Sequence, residues 1–359
     1  MHDRTPSPDQ AERLRRLVIP PRTTPSAPTG GFGTAASGQA AVSTTSTVSA
    51  GAATSAPDAS TAIEEKASAA STGLSVGPLA MNGRARSSRI ARAIAVSSGK
   101  GGVGKTNLAV NLAVAFAARG QRVVLLDADL GLANADVLCG ITPRATLEDV
   151  VSSDRALEDV MVAAPGGFRL VPGASGVSRL ADMGQTQRRH VLDQLLELER
   201  TTDLLIVDTG AGIGANSMAF AAAAHTILVT TTPEPTAIAD AYGAIKTLVA
   251  RGCREGIKLV VNMSRSEEEG RQVHARIDRV SRAFLSTPIE YAGSVPLDPM
   301  MPAAVRRRAP VSLVHPDALS SVAIRRLAAA LSGESESHSR ADQRKGFLAR
   351  LARLVAARP

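Results

Sequence analysis

Two lysines share the stretch SSGKGGVGKTN, Ser97 to Asn107, where a phosphate-binding loop needs one. Gly99, Lys100, Gly101, Gly102, Val103, Gly104, Lys105 and Thr106 fit the pattern G-x-x-x-x-G-K-S/T, and Asn107 follows. Glycines let a chain turn tightly so that successive backbone N–H groups face one point. With the N-terminus of a following helix, those groups can hold phosphate oxygens. Lys105 stands where such a loop sends an ammonium to β- and γ-phosphates, and Thr106 where a hydroxyl ligates Mg²⁺. Lys100 has little room to fold back onto phosphates bound by its own loop. It either projects into the nucleotide site of a second subunit or is a solvated surface lysine.

A loop of this kind needs a strand before it and a helix after it, and the flanking sequence supplies both. Apolar runs at 93–97, 122–129, 168–172, 203–209, 226–231, 258–263 and 291–296 read as strands. Several are continuously apolar, as suits strands covered on both faces of a parallel sheet. Helical periodicity lies between them at 105–119, 185–199, 214–224, 236–250, 267–285 and 317–331. The expected fold is α/β: a doubly wound, mostly parallel sheet with helices on both faces.

The 359 residues divide into four parts. Residues 1–22 contain SPDQAERLRRLVIPP, a short helix capped by Ser7, with Pro8 in its first turn and Gln10 in a capping-box position; Pro20 and Pro21 stop it. Residues 23–88 are almost wholly Ala, Ser, Thr, Gly and Pro. Such a composition cannot offset chain-ordering entropy, so a disordered linker is expected. Residues 89–333 form the α/β domain. Residues 334–359 hold a polar spacer and RKGFLARLARLVAARP, in which Phe347, Leu348, Leu351, Leu354 and Val355 form an apolar stripe beside arginines. That pattern suits a helix lying on an anionic membrane, or one docked on its own domain. The net charge of +8 is concentrated in this tail and in AVRRRAP, 304–310. The two cysteines, Cys139 and Cys253, are isolated, so no zinc or iron–sulfur site and a reducing compartment are expected. The first residues lack a signal-peptide core, and no run reaches transmembrane length; a cytoplasmic protein, reversibly peripheral on the inner face of the cell membrane, is expected.

KGGVGKT resembles the deviant Walker A motif of the MinD/ParA ATPases, a family of P-loop NTPases. In that family the first lysine crosses an ATP-sandwich dimer to the opposite subunit's phosphates, so the resemblance makes Lys100 the trans lysine and ATP with Mg²⁺ the ligands. LLDADLGLANAD resembles the passage from a strand end into switch I. It implies that Asp127 supports the loop lysine and the Mg²⁺ shell and that Asp129 orients the attacking water. Taken alone, either could be a polar strand end or a helix cap. LLIVDTGAGIG resembles Walker B running into switch II, with Asp208 on Mg²⁺ through water and with Gly210 and Gly212 letting the backbone adapt. Asn262 in VVNM and Pro296 in SVPLDP match the places where the family holds adenine; taken alone, Asn262 could equally be a strand-end turn former.

Finer passages resemble the flagellum-placing FlhG (YlxH) branch: DQAERLR, KGGVGKTN, DTGAGIG, TPEPTAIADAYGAIK, SGVSRLADM and RKGFLARLARL. This resemblance implies a slow, switch-type ATPase that dimerises with ATP and attaches to anionic inner membrane through the tail stripe. It also implies partners: an FlhF-type GTPase of the signal-recognition class, contacted through Asp9, Gln10, Ala11, Leu14 and Arg15, and switch-complex proteins of the flagellar C-ring. Nucleic acid is not among the expected partners, because the arginine run at 306–308 reads as a solvated helix face. The alternatives are a septum-placing or DNA-partitioning member of the same class and a non-hydrolysing scaffold.

Overall fold

The computed structural model describes residues 90–129, 133–153, 155–173, 185–333 and 346–356, with side chains of 185–192, 151, 153 and 355–356 excepted. The expected N-terminal helix and linker, the SGVSRLADM passage and the polar spacer before the tail helix lie outside them.

Eight strands form one sheet in the order β3-β4-β2-β5-β1-β6-β7-β8. They are β1 (Arg92–Ser97), β2 (Val123–Ala128), β3 (Val162–Ala163), β4 (Arg169–Val171), β5 (Leu204–Thr209), β6 (Thr226–Thr231), β7 (Ile257–Ser264) and β8 (Glu290–Pro296). Every neighbouring pair is parallel except β3–β4. The helices are α1 (Lys105–Ala117), α2 (Ala135–Cys139), α3 (Leu147–Ser153), α4 (Leu157–Val160), α5 (Gln185–Thr201), α6 (Ala215–Ala223), α7 (Pro235–Ala250), α8 (Glu267–Leu285), α9 (Met300–Arg306), α10 (Val311–Val314), α11 (Leu319–Gly333) and α12 (Phe347–Ala356).

The continuous apolar strands are explained by two cores, one on each face. Ala93, Ala95, Leu205, Val207, Ile227 and Val229 pack with α6, α7, α8 and α12 on one side. Their alternating neighbours Ile94, Val96, Leu204, Ile206 and Leu228 pack with α1 and α11 on the other. A strand residue pair therefore feeds both layers; every position on β2, β5 and β6 is buried, and on β1 every position but half-buried Arg92. With so few aromatic residues, small side chains fill these layers, and Ala109, Ala113, Ala221, Ala223 and Ala241 are all buried. The strand order reverses beside β1, with β5 on one flank and β6 on the other. That reversal opens a crevice at the carboxyl ends of the strands, where ligands bind in folds of this kind. The phosphate-type loop occupies it.

The seven sequence-predicted strands and six predicted helices all form. The short elements β3, α2, α3, α4, α9 and α10 carry too few residues for a periodic signal and emerge only in the structure.

Candidate functional site

The loop between β1 and α1 takes its shape from three glycines. Gly102 and Gly104 have φ of 80° and 86°, in the left-handed region that favours glycine. Gly104 is also the N-cap of α1 and supplies no side-chain cap, so the first N–H groups of that helix stay available to an anion. A β-carbon on Gly99 would overlap the Asp240 carbonyl of α7, so the loop lies directly on that helix. Val103 is buried, Gly101 and Gly102 are exposed, and Lys105 is 7% exposed, sunk beside the helix start.

Behind the loop stand the acids. Parallel pairing of β2 with β5 sets Asp127 opposite Asp208 at the carboxyl ends of the two strands. Asp127 accepts N–H groups from Asp129 at 3.2 Å and from Asn134 and Ala135 at 3.0 Å each, so it anchors the start of α2. Desolvation still pushes its carboxyl up to about 6. Asp208 is 1% exposed, and neither oxygen receives a well-formed hydrogen bond. The Thr106 hydroxyl and the Lys105 ammonium lie close enough to temper its charge without offsetting it. Burial first, and then repulsion from Asp127, raise it to about 7. A buried, under-partnered carboxylate next to a threonine hydroxyl and a lysine is a cation site by its chemistry. Mg²⁺ is held in such NTPases by one or two protein oxygens plus phosphate and water. That fits these residues, since among the described residues no group of three or more His, Cys, Asp or Glu could hold a metal alone. Asp129 is half-buried, and its carboxylate lies over Gly210, 3.4 Å from where a β-carbon would be. The Gly212 N–H donates to the Ser98 carbonyl at 3.0 Å, tying the segment after β5 to the loop.

Lys100 does not face this pocket. Its ammonium binds Glu234 at 3.2 Å and Thr236 at 3.0 Å, at the N-terminus of α7, with its side chain 39% exposed. Glu234 and Thr236 belong to the TPEPTAIADAYGAIK passage, where their residue types mark only a helix start. Asn262, expected at the base, donates one amide N–H to the Val103 carbonyl at 2.8 Å and stands against Gly104. It braces the loop from β7, and its oxygen and second N–H remain for a base. Pro296 is half-buried at the end of β8, next to exposed Leu297, while exposed Met263 follows Asn262. Met263 reaches the loop, its Cε 3.6 Å from where a β-carbon on Gly104 would be, and gave no periodic signal.

The tail departs from the expectation of a stripe open to lipid. Phe347, Leu348 and Leu351 are 0%, 2% and 2% exposed and join the core beneath α6, with Leu354 packed against its edge. The side chain of Val355 lies outside the described residues. Leu348 donates its backbone N–H to Glu199 of α5 at 2.9 Å, and Arg350 donates to the Ala224 carbonyl at 3.0 Å. The physical reason is that α5 and α6 leave an apolar trough that the stripe fills.

Residues 89–332 match the family model described as ParA, NUBPL iron-transfer P-loop NTPase. The chain is 42% identical over 235 residues to antiactivator FleN of Pseudomonas aeruginosa, covering 66% of this chain and 84% of that one. It is 32% identical over 266 residues to the flagellum site-determining protein YlxH of Helicobacter pylori, covering 73% and 89%. Among solved structures, MinD of the Aquifex aeolicus MinC:MinD complex superposes with a TM-score of 0.56 at 27% identity, over 70% of this chain and 99% of that one. With a nucleotide-type loop, paired acids and these relatives, the chain belongs to the MinD/ParA family of P-loop ATPases, alongside FleN and YlxH.

Proposed function

We propose that this ATPase is an ATP-dependent dimerising switch that sets the placement and number of flagella; the name of its YlxH relative, a flagellum site-determining protein, supports the placement. The observation that carries the dimer is the division of labour between the two lysines. Lys105 is buried at the helix start, whereas Lys100 leaves the loop outward and is held only at an exposed rim. A second subunit closing on that rim would meet the Lys100 ammonium.

In the reaction, the α1 N-terminus and Lys105 bind and orient the β- and γ-phosphates, replacing water by fixed donors. Thr106 and Asp208 would hold Mg²⁺, which when bound offsets the triphosphate charge. Asp129, next to the Gly210 backbone, orients the attacking water. Asp127 keeps the following segment in place through Asn134 and Ala135. Lys100, supplied by the partner copy, adds a cation where charge develops, so hydrolysis depends on dimerisation.

The membrane part of this reading requires the tail helix to leave its trough. One released amphipathic helix binds lipid weakly, while a dimer offers two and gains avidity. The FlhF-type GTPase would be engaged through Gln10 and its neighbours; Gln10→Ala should abolish stimulation of that partner's GTP hydrolysis, and an unchanged rate removes the idea. Flagellar switch proteins complete the partner set. Iron transfer, in the description of the family model, is not supported: Cys139 is buried in one core, and Cys253 packs, half-buried, against the core on the opposite face of the sheet. The direct test is a chromosomal Lys100→Ala substitution scored by flagellar counts. Unaltered number and position in a variant that no longer dimerises would reject the reading.

A further inference from the structure

Glu199 is the one acid of α5 drawn into the core, 3% exposed. Its neighbours in sequence and space are already engaged: Arg200 with Glu197 at 3.6 Å, Asp203 with Arg122 at 2.7 Å, and His225 Nδ1 with the Ala93 N–H at 3.0 Å. Among the described residues the Glu199 carboxylate meets no such cation. What it meets is the start of the tail helix: the backbone N–H groups of Leu348 and Phe347. Gly346 sits so close that a β-carbon there would overlap Oε2 of Glu199 and come within 3.0 Å of Ile90. The Glu199 backbone carbonyl also takes the Ala91 N–H at 3.0 Å, so the chain entering β1 crosses the same point. Arg350, one turn along the tail, is committed to the Ala224 carbonyl and acts on the Cys253 thiol, and Arg353 is exposed.

We propose that Glu199 is a proton-sensitive latch for the tail: its neutral form holds α12 in the trough, and its ionised form favours release. The geometry sets the direction. Docking buries the carboxyl, and the helix N-terminus returns only part of what water supplied to the charge. Burial raises the docked group from 4.5 to about 7, with the two N–H groups opposing that shift. With the tail away, the group regains water and its ordinary value. The docked state therefore binds more protons. Docking is tightest below 4.5, weakens through the window up to about 7, and is flat above it. Between pH 6 and pH 8 the docking constant should fall about tenfold. The inference rests on the reading that the tail leaves the trough, and its test is made without lipid so that the two can fail separately.

The full chain is followed by hydrogen exchange at the α12 amides, corrected for intrinsic exchange, at pH 6 and pH 8. Wild type should lose about tenfold of its protection at the higher pH. Glu199→Gln keeps the acceptor and the shape without the charge, so it should stay protected at both. Gly346→Val should lose protection at both, with the protection of β1 and β5 intact. A pH-independent wild type, or a Glu199→Gln profile that follows wild type, overturns the latch. Pelleting of the same samples with phosphatidylglycerol vesicles then tests the membrane reading. If exchange follows the prediction while no sample pellets, the latch stands and membrane association fails.

Discussion

Replacing Asp208 by Asn should make the nucleotide-free protein more stable while destroying its response to Mg²⁺ and ATP. The Asp208 carboxyl is raised from 3.8 to about 7 by burial and by Asp127. An acid whose folded value is raised imposes no penalty below the unfolded value. The penalty grows as pH rises and is complete above the folded value. At pH 8 the difference of about 3 units, at about 1.4 kcal/mol each, costs the fold about 4 kcal/mol. Asn removes the charge but leaves a buried amide near Thr106, which returns about 1–3 kcal/mol of that gain. The net stabilisation is about 2 kcal/mol, or roughly 5 °C in a domain of this size. Thermal unfolding at pH 8 in EDTA, followed by the same scan with Mg²⁺ and ATP, separates the two effects. Wild type should start lower and rise sharply with Mg²⁺–ATP, and the variant should start higher and rise little. A variant that melts below wild type in EDTA, or gains as much from Mg²⁺–ATP, would refute the argument that this carboxylate is held ready for a cation.

Other outcomes follow from the same geometry. Gly104→Ala puts a β-carbon at φ of 86° against the Asn262 amide; it should cost about 1–3 kcal/mol and abolish nucleotide binding, read by unfolding and by ATP-analogue titration. Asp129→Ala should bind ATP and accumulate as a dimer with hydrolysis lost, and wild-type phosphate release would remove its catalytic role. Phe347→Ala empties the most buried tail position. It should cost about 3–5 kcal/mol of docking and expose α12 to protease while the rest of the domain melts nearly as before.

The site was legible in the sequence wherever chemistry requires a fixed spacing. The loop glycines, Lys105 and Thr106 are contiguous, and Asp127 and Asp208 end apolar strands, so their placement follows once the sheet is parallel. Residues acting across the fold were not legible. Glu199 lies in a charged helical stretch, and its burial depends on a helix arriving from position 347. Glu234 and Thr236 look like a helix entry until Gly99 is seen pressed against the same helix, which brings Lys100 over them. The tail shows the limit of periodicity: an apolar stripe beside arginines describes a docked helix and a lipid-bound one equally well. The trough formed by α5 and α6, which the stripe fills in this structure, has no signature in the tail itself.

Closure of two copies around ATP, with Lys100 crossing between them, is measured directly by sedimentation. With Mg²⁺ and a non-hydrolysable ATP analogue, wild type should sediment at twice the mass it has with ADP, and Lys100→Ala should stay at the single mass while still binding the analogue. Single chains throughout the concentration range, or a Lys100→Ala variant that pairs as wild type does, would contradict it.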